Sequence, residues 1–320
     1  DIIPARWLNT IAMMVTVVVI GYASYAAIVI RSSADTPMDQ NSPDNVFSLK
    51  YYLNREQYGD TPLFYGQTYN APVKLDVKGN MCVPVEKKGH AQYAPAPKAE
   101  GEKDRYVVTG YKNSYVYMDE FKMLFPRMHS AQAHHVDAYK SWANVKGKKV
   151  RYNYCGQNRT EDCPTFGENL KFFFRYQVNF MYWRYFMWNF AGRQNDIQSH
   201  GELTKGNWIS GIPFIDNALY GDQSKPPTEL RENKGHNVYY FLPLILGLIG
   251  LVWQLGKRNN QEKSKEGYRS FAIVFLLFFL TGLAIVVYLN QTPYQPRERD
   301  YAYAGSFYAF CIWIGLGGMG

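Results

Sequence analysis

The sequence predicts a polytopic α-helical membrane protein with an exoplasmic α+β insert and an aromatic helix at the membrane interface. Charged residues are nearly absent from three apolar runs, 7–30, 238–256 and 270–289. Each run is long enough to cross a hydrocarbon core about 30 Å thick as a helix. A long polar segment, 31–237, separates the first two runs. The apolar fraction of 47% and the charged fraction of 19% exclude a disordered chain.

The first apolar run predicts a transmembrane helix at 1–30. A signal peptide is the alternative, because Arg6, the apolar stretch and the small residues around Ala26 imitate one. The transmembrane helix is favoured because the apolar stretch continues to Ile30, beyond the length of a typical signal-peptide core. Since the chain begins without Met and stops inside an apolar run, 305–320, we expect an internal fragment of a longer protein.

The segment 31–166 predicts an exoplasmic α+β insert. Two stretches, 106–118 and 142–155, are rich in Val and Tyr around turn-forming residues, which predicts two β-hairpins. The stretch 86–105 is rich in Pro, Ala and charged residues, which predicts a loop.

The segment 167–237 begins with the most aromatic stretch of the chain, in which eleven of the 23 residues 168–190 are Phe, Tyr or Trp. Polar residues interrupt it too often for a spanning helix. Aromatic rings with polar edges favour lipid headgroups, so we predict an interfacial helix with Arg175, Trp183 and Arg184 at headgroup level. A buried helix with outward-reaching basic side chains is the alternative. The remainder of 167–237 is too apolar for a free linker and is expected to pack on the membrane helices.

The C-terminal part alternates apolar runs with short charged loops. Five Lys and Arg against two Glu in the loop 257–269 predict a cytoplasmic position for it. The segment 31–237 and the loop after the next apolar run then face the exoplasmic side. The predicted order is a transmembrane helix 238–256, the cytoplasmic loop 257–269, a transmembrane helix 270–289, an exoplasmic loop 290–304 and a truncated transmembrane helix 305–320.

Several kinds of site find no support in the sequence. The spacing of His129, His134 and His135 does not place them on one helix face, so we expect no metal site. Basic and acidic residues are mixed, so we expect no nucleic-acid partner. Cys155 and Cys163 can close a small disulfide loop in an oxidising compartment, and two free thiols are an equally weighted alternative.

The loop 290–304 offers the sharpest candidate site. If it is extended near its centre, Arg297 and Arg299 point to one side, and Glu298 and Asp300 point to the other. Two guanidinium groups at headgroup depth suit a phosphate or a diphosphate. Ion pairing of these arginines with acids of neighbouring loops is the alternative, and the spacing alone favours it.

Four sequence blocks together resemble a known family. The blocks are YWRYFMWNFAGRQNDIQ at 182–198, NWISGIPF at 207–214, YYFLPLILGLIGL at 239–251 and YLNQTPYQPRERDYAYAGSFYAFCIWIGLG at 288–317. They resemble a family of bacterial polytopic membrane proteins, long called a domain of unknown function. That family is similar to the animal endoplasmic-reticulum protein O-mannosyltransferase and is grouped with the GT-C glycosyltransferases.

The resemblance implies a GT-C-like fold and a membrane glycosyltransferase. Its donor is expected to be a polyprenyl-phosphate sugar, with mannose as the sugar, and its acceptor a Ser or Thr hydroxyl of an exported protein. The implied partners are membrane lipid, the lipid-linked donor and the acceptor protein, and no other cofactor is evident. The implied location is the bacterial inner membrane, multi-pass, with the large insert on the periplasmic side.

The resemblance also bears on single residues. Enzymes of this kind carry their catalytic acid in an early exoplasmic block that 1–320 does not contain, so that acid is expected outside the fragment and Asp300 is the fallback. Arg297 and Arg299 are expected to bind the donor phosphate. Tyr294, Tyr301 and Tyr303 are expected to line the sugar or its lipid, with interfacial anchoring as their default role.

Two other functions remain open from the sequence. The first is a non-catalytic membrane scaffold or export component whose insert binds a partner protein. The second is a transporter, which is weakened because the three apolar runs contain no Asp, Glu, Lys or Arg to line a path.

Overall fold

The computed structural model describes residues 4–54, 56, 61–79, 81–97, 101, 103, 105–256, 261–295 and 299–319. They form two compact units. Unit 1 consists of Asp1–Thr61 and Glu86–Ser114, and unit 2 consists of Pro62–Val85 and Tyr115–Gly320. Part of the predicted cytoplasmic loop, residues 257–260, lies outside the described residues.

Helices and short strands both occur along the chain. The α-helices are α1 (Ala5–Ser32), α2 (Val46–Leu53), α3 (Ala133–Ala143), α4 (Phe166–Phe172), α5 (Arg184–Phe190), α6 (Pro213–Tyr220), α7 (Thr228–Arg231), α8 (Leu242–Leu255), α9 (Gln261–Thr281), α10 (Leu283–Leu289) and α11 (Ala304–Gly317). The strands are β1 (Tyr65–Gln67), β2 (Leu75–Lys78), β3 (Met81–Pro84), β4 (Glu86–Lys87), β5 (Ala91–Pro95), β6 (Tyr106–Tyr111), β7 (Ser114–Tyr115), β8 (Lys122–Leu124), β9 (Lys148–Tyr154), β10 (Gln157–Cys163), β11 (Gly192–Arg193) and β12 (Asn237–Val238). A π-helix, Phe173–Trp183, joins α4 to α5, and 3-10 turns lie at Asp119–Phe121 and Asp300–Tyr303.

Unit 1 combines α1 and α2 with the antiparallel pair β5–β6. Asn45 begins α2 because its side-chain oxygen accepts hydrogen bonds from the Phe47 and Ser48 amides, both at 3.0 Å. The Phe47 ring packs against Tyr93 of β5 and Tyr106 of β6, with ring centroids 4.5 and 4.8 Å away. These ring contacts attach α2 to the strand pair.

The aromatic segment forms the central helix of unit 2. Thr165 starts it with a capping box, in which Thr165 Oγ1 accepts from the Glu168 amide and Glu168 Oε2 accepts from the Thr165 amide. Phe172, Tyr176 and Phe180 are buried along one side. The helix is therefore held in place by burial of its own aromatic rings.

The three residues predicted at headgroup level have different environments. Arg175 and Trp183 are exposed, whereas Arg184 is buried. The Arg184 guanidinium donates to the carbonyl oxygens of Phe180 and Gly206. Arg184 is thus a packed residue and not an interfacial one, because main-chain acceptors inside unit 2 satisfy its donors.

The disulfide of unit 2 joins Cys82 of β3 to Cys155 in the turn between β9 and β10. Cys163 is a buried free thiol whose sulfur lies 3.8 Å from Thr68 Oγ1. The predicted pairing of Cys155 with Cys163 does not form. In the register of the β9–β10 hairpin, Cys163 lies opposite Lys148, at the far end of the strands from Cys155.

Helices α8, α9 and α11 pack together in unit 2. Trp313 and Phe310 of α11 are buried against Phe271 and Phe278 of α9. Trp313 Nε1 donates to Gln254 Oε1 of α8 at 2.8 Å. Apolar side chains of these helices therefore form a second core in unit 2.

The predicted fold class is wrong. In the described part of the chain, two helices are long and apolar enough to cross a membrane, Ala5–Ser32 and Lys265–Leu289, and the apolar helices α8 and α11 have 14 residues each. Fourteen residues rise about 21 Å, less than a hydrocarbon core of about 30 Å. With its two-stranded sheets, the structure is α+β and not a polytopic GT-C-like helical membrane protein.

Candidate functional site

The start of the predicted loop site is fixed by a buried polar network. Asn290 ends α10 in the left-handed region, with φ of 41°. Its Nδ2 donates to the carbonyl oxygens of Pro62 at 3.0 Å and Pro126 at 2.9 Å, and its Oδ1 accepts from Gln177 Nε2 at 3.0 Å. Asn290 is 1% exposed, so these bonds form without competition from water.

A buried arginine holds the end of α10 from the other side. The Arg127 guanidinium donates to Val287 O at 2.8 Å and to Leu63 O at 2.9 Å, and it stacks on the Phe125 ring at 3.7 Å. Burial lowers the Arg127 pKa to about 10, so the group stays charged at neutral pH. Carbonyl oxygens accept from its two terminal nitrogens, its Nε is buried without a partner among the described residues, and the side chain serves to position the loop.

The predicted donor-binding residues are only partly brought together. Arg297 lies outside the described residues, and Arg299 is half-buried just before Asp300. Tyr301 is exposed. Tyr303 is buried and meets Tyr182 edge-on, with ring centroids 5.4 Å apart. Tyr303 is therefore a core residue, because its ring fills a cluster inside unit 2 and leaves no surface for a ligand.

Tyr294 lies elsewhere in the same loop. Its exposed ring is near His200 and His134, with centroid distances of 5.2 and 6.3 Å. The loop is also tied to the segment after α5, because Gln198 Nε2 donates to Gln295 O at 3.3 Å. The tyrosines of the loop thus have three separate surroundings instead of one shared binding surface.

Asp300 lies at a small cavity of about 190 Å³. Two carboxylates, two amides and a guanidinium give the cavity a polar lining, and two aromatic rings form one wall. The polar residues are Asp196, Asp300, Asn195, Gln198 and Arg184, and the aromatic wall consists of Tyr185 and Trp188. Small cavities with converging polar groups and an aromatic wall are typical of sites for small polar ligands. Asp300, the fallback candidate for the catalytic acid, is therefore a lining residue of this cavity.

The Tyr185 hydroxyl is a hydrogen-bond partner of the Asp300 carboxylate. Burial raises the pKa of Tyr185 above its usual range, and the hydrogen bond to Asp300 and the negative charge of Asp300 raise it further. Tyr185 therefore stays protonated at neutral pH and donates to the carboxylate. The carboxylate is oriented by this contact.

The aromatic wall is rigid. The rings of Tyr185 and Trp188 stack with centroids 5.1 Å apart and an interplanar angle of 20°. Trp188 Nε1 donates to Asn195 O at 3.0 Å. Asn195 is itself fixed, because its Oδ1 accepts from the Gly206 amide at 2.7 Å and its Nδ2 donates to Thr204 O at 2.8 Å.

A larger cavity of about 340 Å³ is lined in part by Gln194, the neighbour in sequence of Asn195 in the smaller cavity. Asp216 is the only carboxylate among its lining residues. Its two oxygens accept from the Ser210 amide, the Ser210 hydroxyl and the Gly211 amide at 2.8 to 2.9 Å. The Asp216 carboxylate is used to hold its own loop by these hydrogen bonds. The smaller cavity, with two carboxylates in its lining, therefore offers more groups for chemistry.

The described histidines of unit 2 have different surroundings. In the described ranges, no three His, Cys, Asp or Glu side chains are placed to hold a metal ion. Ser130 Oγ lies 2.7 Å from His135 Nδ1. Burial lowers the pKa of His129 to about 4, so His129 is neutral at neutral pH.

The comparisons with known proteins cover a different part of the chain. Residues 59–174 match the model of a family of unknown function, DUF8416. The match spans less than half of the chain and ends before the cavity beside Asp300. No curated protein and no solved structure matches the chain.

Proposed function

We propose that the cavity beside Asp300 binds the sugar of a polyprenyl-phosphate donor and that the chain takes part in transferring this sugar, mannose, to a protein hydroxyl. The observation that carries the proposal is the lining of the cavity. It combines carboxylates and amides, which hydrogen-bond sugar hydroxyls, with an aromatic wall for the apolar face of the ring. Its volume is below the range of about 300 to 1,000 Å³ for drug-sized ligands, which suits a single ring.

The chemistry needs a base and a stabilised leaving group. The acceptor hydroxyl oxygen attacks the anomeric carbon of the sugar while the bond from this carbon to the phosphate oxygen breaks. The electron pair of that bond leaves with the phosphate, and the hydroxyl proton passes to the carboxylate of Asp300. Tyr185 supports this role because its hydrogen bond orients the carboxylate. Arg297 and Arg299, next to Asp300 in sequence, are proposed to stabilise the leaving phosphate.

Transfer by the full chain tests the proposal. Radiolabelled polyprenyl-phosphate mannose is incubated with the protein and a panel of exported acceptor proteins, and label in the acceptor is counted. Asp300→Asn should lower the rate at least about a hundredfold, because it removes the base. The matched control is Asp119→Asn, which changes an exposed acid paired with Lys122. Equal rates for the two variants would refute the role of Asp300. No transfer by the wild-type chain would favour the non-catalytic scaffold.

The lipid-linked donor requires contact with a membrane, and α1 is suited to provide it. The helix is 28 residues long, which is about 42 Å and more than a hydrocarbon core of about 30 Å. Every side chain from Ala5 to Ala27 is exposed, including large apolar ones. We propose that α1 enters the lipid bilayer, because so much apolar surface is unfavourable in water.

Vesicle flotation tests the role of α1. The full chain should float with phosphatidylcholine vesicles, and Val17→Lys combined with Ile20→Lys should reduce the floating fraction because both charges lie in the middle of the helix. The matched control places the same two charges on the exposed surface of unit 2, at Gln157 and Thr160 of β10. Flotation that is unchanged by the charges in α1 would refute the proposal.

A further inference from the structure

Arg193 stands beside the aromatic wall of the cavity. Its guanidinium carbon lies 3.9 Å from the centroid of the Trp188 ring. Trp188 lines the cavity together with Asp300, and Arg193 stands behind this lining as its neighbour. The Arg193 main chain is fixed, because its amide donates to Asn237 Oδ1 at 3.1 Å and β11 pairs with β12. The stacking presents a guanidinium at a defined place next to the site.

Among the described residues, the charge of Arg193 has no carboxylate partner. In the part of the chain that the structure describes, no Asp or Glu lies within ion-pair distance of it, and its Nε is buried without a hydrogen-bond acceptor. Arg127 shares the unpartnered Nε, but its two terminal nitrogens donate to main-chain carbonyl oxygens, as the Arg184 guanidinium does. The positive charge of Arg193 also counteracts the rise in the pKa of Tyr185. Arg193 is therefore close enough to act electrostatically on Tyr185, the partner of Asp300.

We infer that Arg193 is an anion-binding residue beside the cavity and takes the phosphate that is attached to the bound sugar. The inference rests on the proposed function for the identity of the sugar phosphate. Its physical basis is separate: a guanidinium held flat on an indole ring keeps its outer N–H groups available for the oxygens of a phosphate. A ligand phosphate would supply acceptors to these outer N–H groups, and the buried Nε is not part of this contact.

Three soluble probes separate this inference from the proposed function. Binding of mannose, mannose 1-phosphate and inorganic pyrophosphate to the full chain is measured by isothermal titration calorimetry. We expect mannose 1-phosphate to bind at least about tenfold more tightly than mannose, because charged hydrogen bonds add to the sugar contacts. Arg193→Gln should weaken the binding of mannose 1-phosphate and of pyrophosphate at least about tenfold while leaving mannose affinity unchanged. Arg193→Lys should keep part of both, because the charge remains but the fork geometry is lost.

The matched control is Arg159→Gln. Arg159 also stacks on an aromatic ring, Tyr154 at 4.8 Å, but it lies on the β9–β10 hairpin and donates to Gln157. Its removal should leave all three affinities unchanged. Melting temperatures of all variants report whether the fold is kept.

The outcomes are distinct. A wild-type chain that binds neither pyrophosphate nor mannose 1-phosphate in preference to mannose overturns the inference, whatever the variants do. Unchanged phosphate binding in a folded Arg193→Gln variant overturns it as well. A chain that binds pyrophosphate through Arg193 but binds no mannose supports the anion site and counts against the proposed sugar-transfer function.

Discussion

Two apolar helices of the chain have opposite surroundings. Helix α1 of unit 1 exposes every side chain from Ala5 to Ala27, and Trp7 is 63% exposed. Helix α11 of unit 2 buries Trp313 to 1% and packs on α8 and α9. The two segments are both apolar and both helical. Apolar composition therefore does not decide whether a helix becomes part of a core.

Small residues at the contact mark the difference. Gly250 of α8 lies so close to α11 that an added Cβ would overlap the Trp313 carbonyl oxygen. Gly317 of α11 lies equally close to the Leu246 carbonyl of α8. Close approach of two helix backbones requires residues without side chains at the crossing. Gly21 of α1, by contrast, has nothing within 4 Å of the position of a Cβ.

The largest effect is expected from removing the indole of α11. Trp313→Ala leaves a cavity among α8, α9 and α11 and should lower the free energy of unfolding of unit 2 by about 3 to 5 kcal/mol. Trp7→Ala in α1 is the matched control and should change it by less than about 0.5 kcal/mol, because the ring is exposed. Denaturant unfolding followed by near-ultraviolet circular dichroism measures both. Similar losses for the two variants would mean that α1 is packed like α11.

Acid should lower the stability of unit 2 through protonation linked to His129. Burial lowers the His129 pKa from 6.5 to about 4, so the folded state keeps it neutral while the unfolded state binds a proton below pH 6.5. Stability should therefore be constant above pH 6.5 and fall by at most about 3 kcal/mol between pH 6.5 and 4. His129→Gln should remove most of this slope, and His200→Gln, at an exposed site, should keep it.

Chemical denaturation at several pH values measures the slope. The helical signal of α1 should be insensitive to the same acid, because α1 contains no histidine. If His129→Gln keeps the wild-type pH dependence, another group is responsible for the acid sensitivity of unit 2.

A smaller loss is expected at the crossing of α8 and α11. Gly250→Ala forces the helices apart, and overpacking of this kind costs about 1 to 3 kcal/mol. Gly315→Ala is the matched control on α11, because nothing lies within 4 Å of its added Cβ. Thermal unfolding should show a lower Tm for Gly250→Ala only. Equal Tm values would show that the helices can separate without cost.

The comparison also explains which parts of the fold the sequence could predict. Apolar runs located α1, α8, α10 and α11, because helices bury or expose apolar residues in long stretches. The environment of these helices did not follow from the runs. Whether a run meets lipid, water or protein depends on partners such as Gly250 and Trp313, which lie more than 60 residues apart in sequence.

Strand pairing was harder to predict than strand position. The run YVVT at 106–109 is part of β6, but its partner is β5, in the stretch 86–105 that was predicted as a loop. The predicted hairpin within 106–118 therefore does not form, because β6 pairs with β5 instead of with the second half of that stretch. Composition hides β5 because Ala and Pro are poor strand formers, and pairing between distant strands leaves no local signal.

Of the residues that line the candidate site, the sequence predicted a catalytic role only for the one in the loop 290–304. Asp300 followed from the loop block, but Tyr185, Trp188 and Asp196 come from a segment more than 100 residues earlier and were not recognised as site residues. Their one signal was that YWRYFMWNFAGRQNDIQ carried the family resemblance. The residues of a site that lie on separate segments can be grouped only when the fold brings them together.

The smallest effect is expected in α1 and has the opposite sign. Gly21→Ala should raise the helicity of α1, because alanine favours a helix interior over glycine by up to about 1 kcal/mol and no atom lies within 4 Å of the new Cβ. Far-ultraviolet circular dichroism of the full chain measures the gain, and the unfolding free energy of unit 2 should stay unchanged. A loss of helicity or of stability would mean that another surface packs on α1 at Gly21. In that case, α1 would resemble α11, and the contrast between the two helices would disappear.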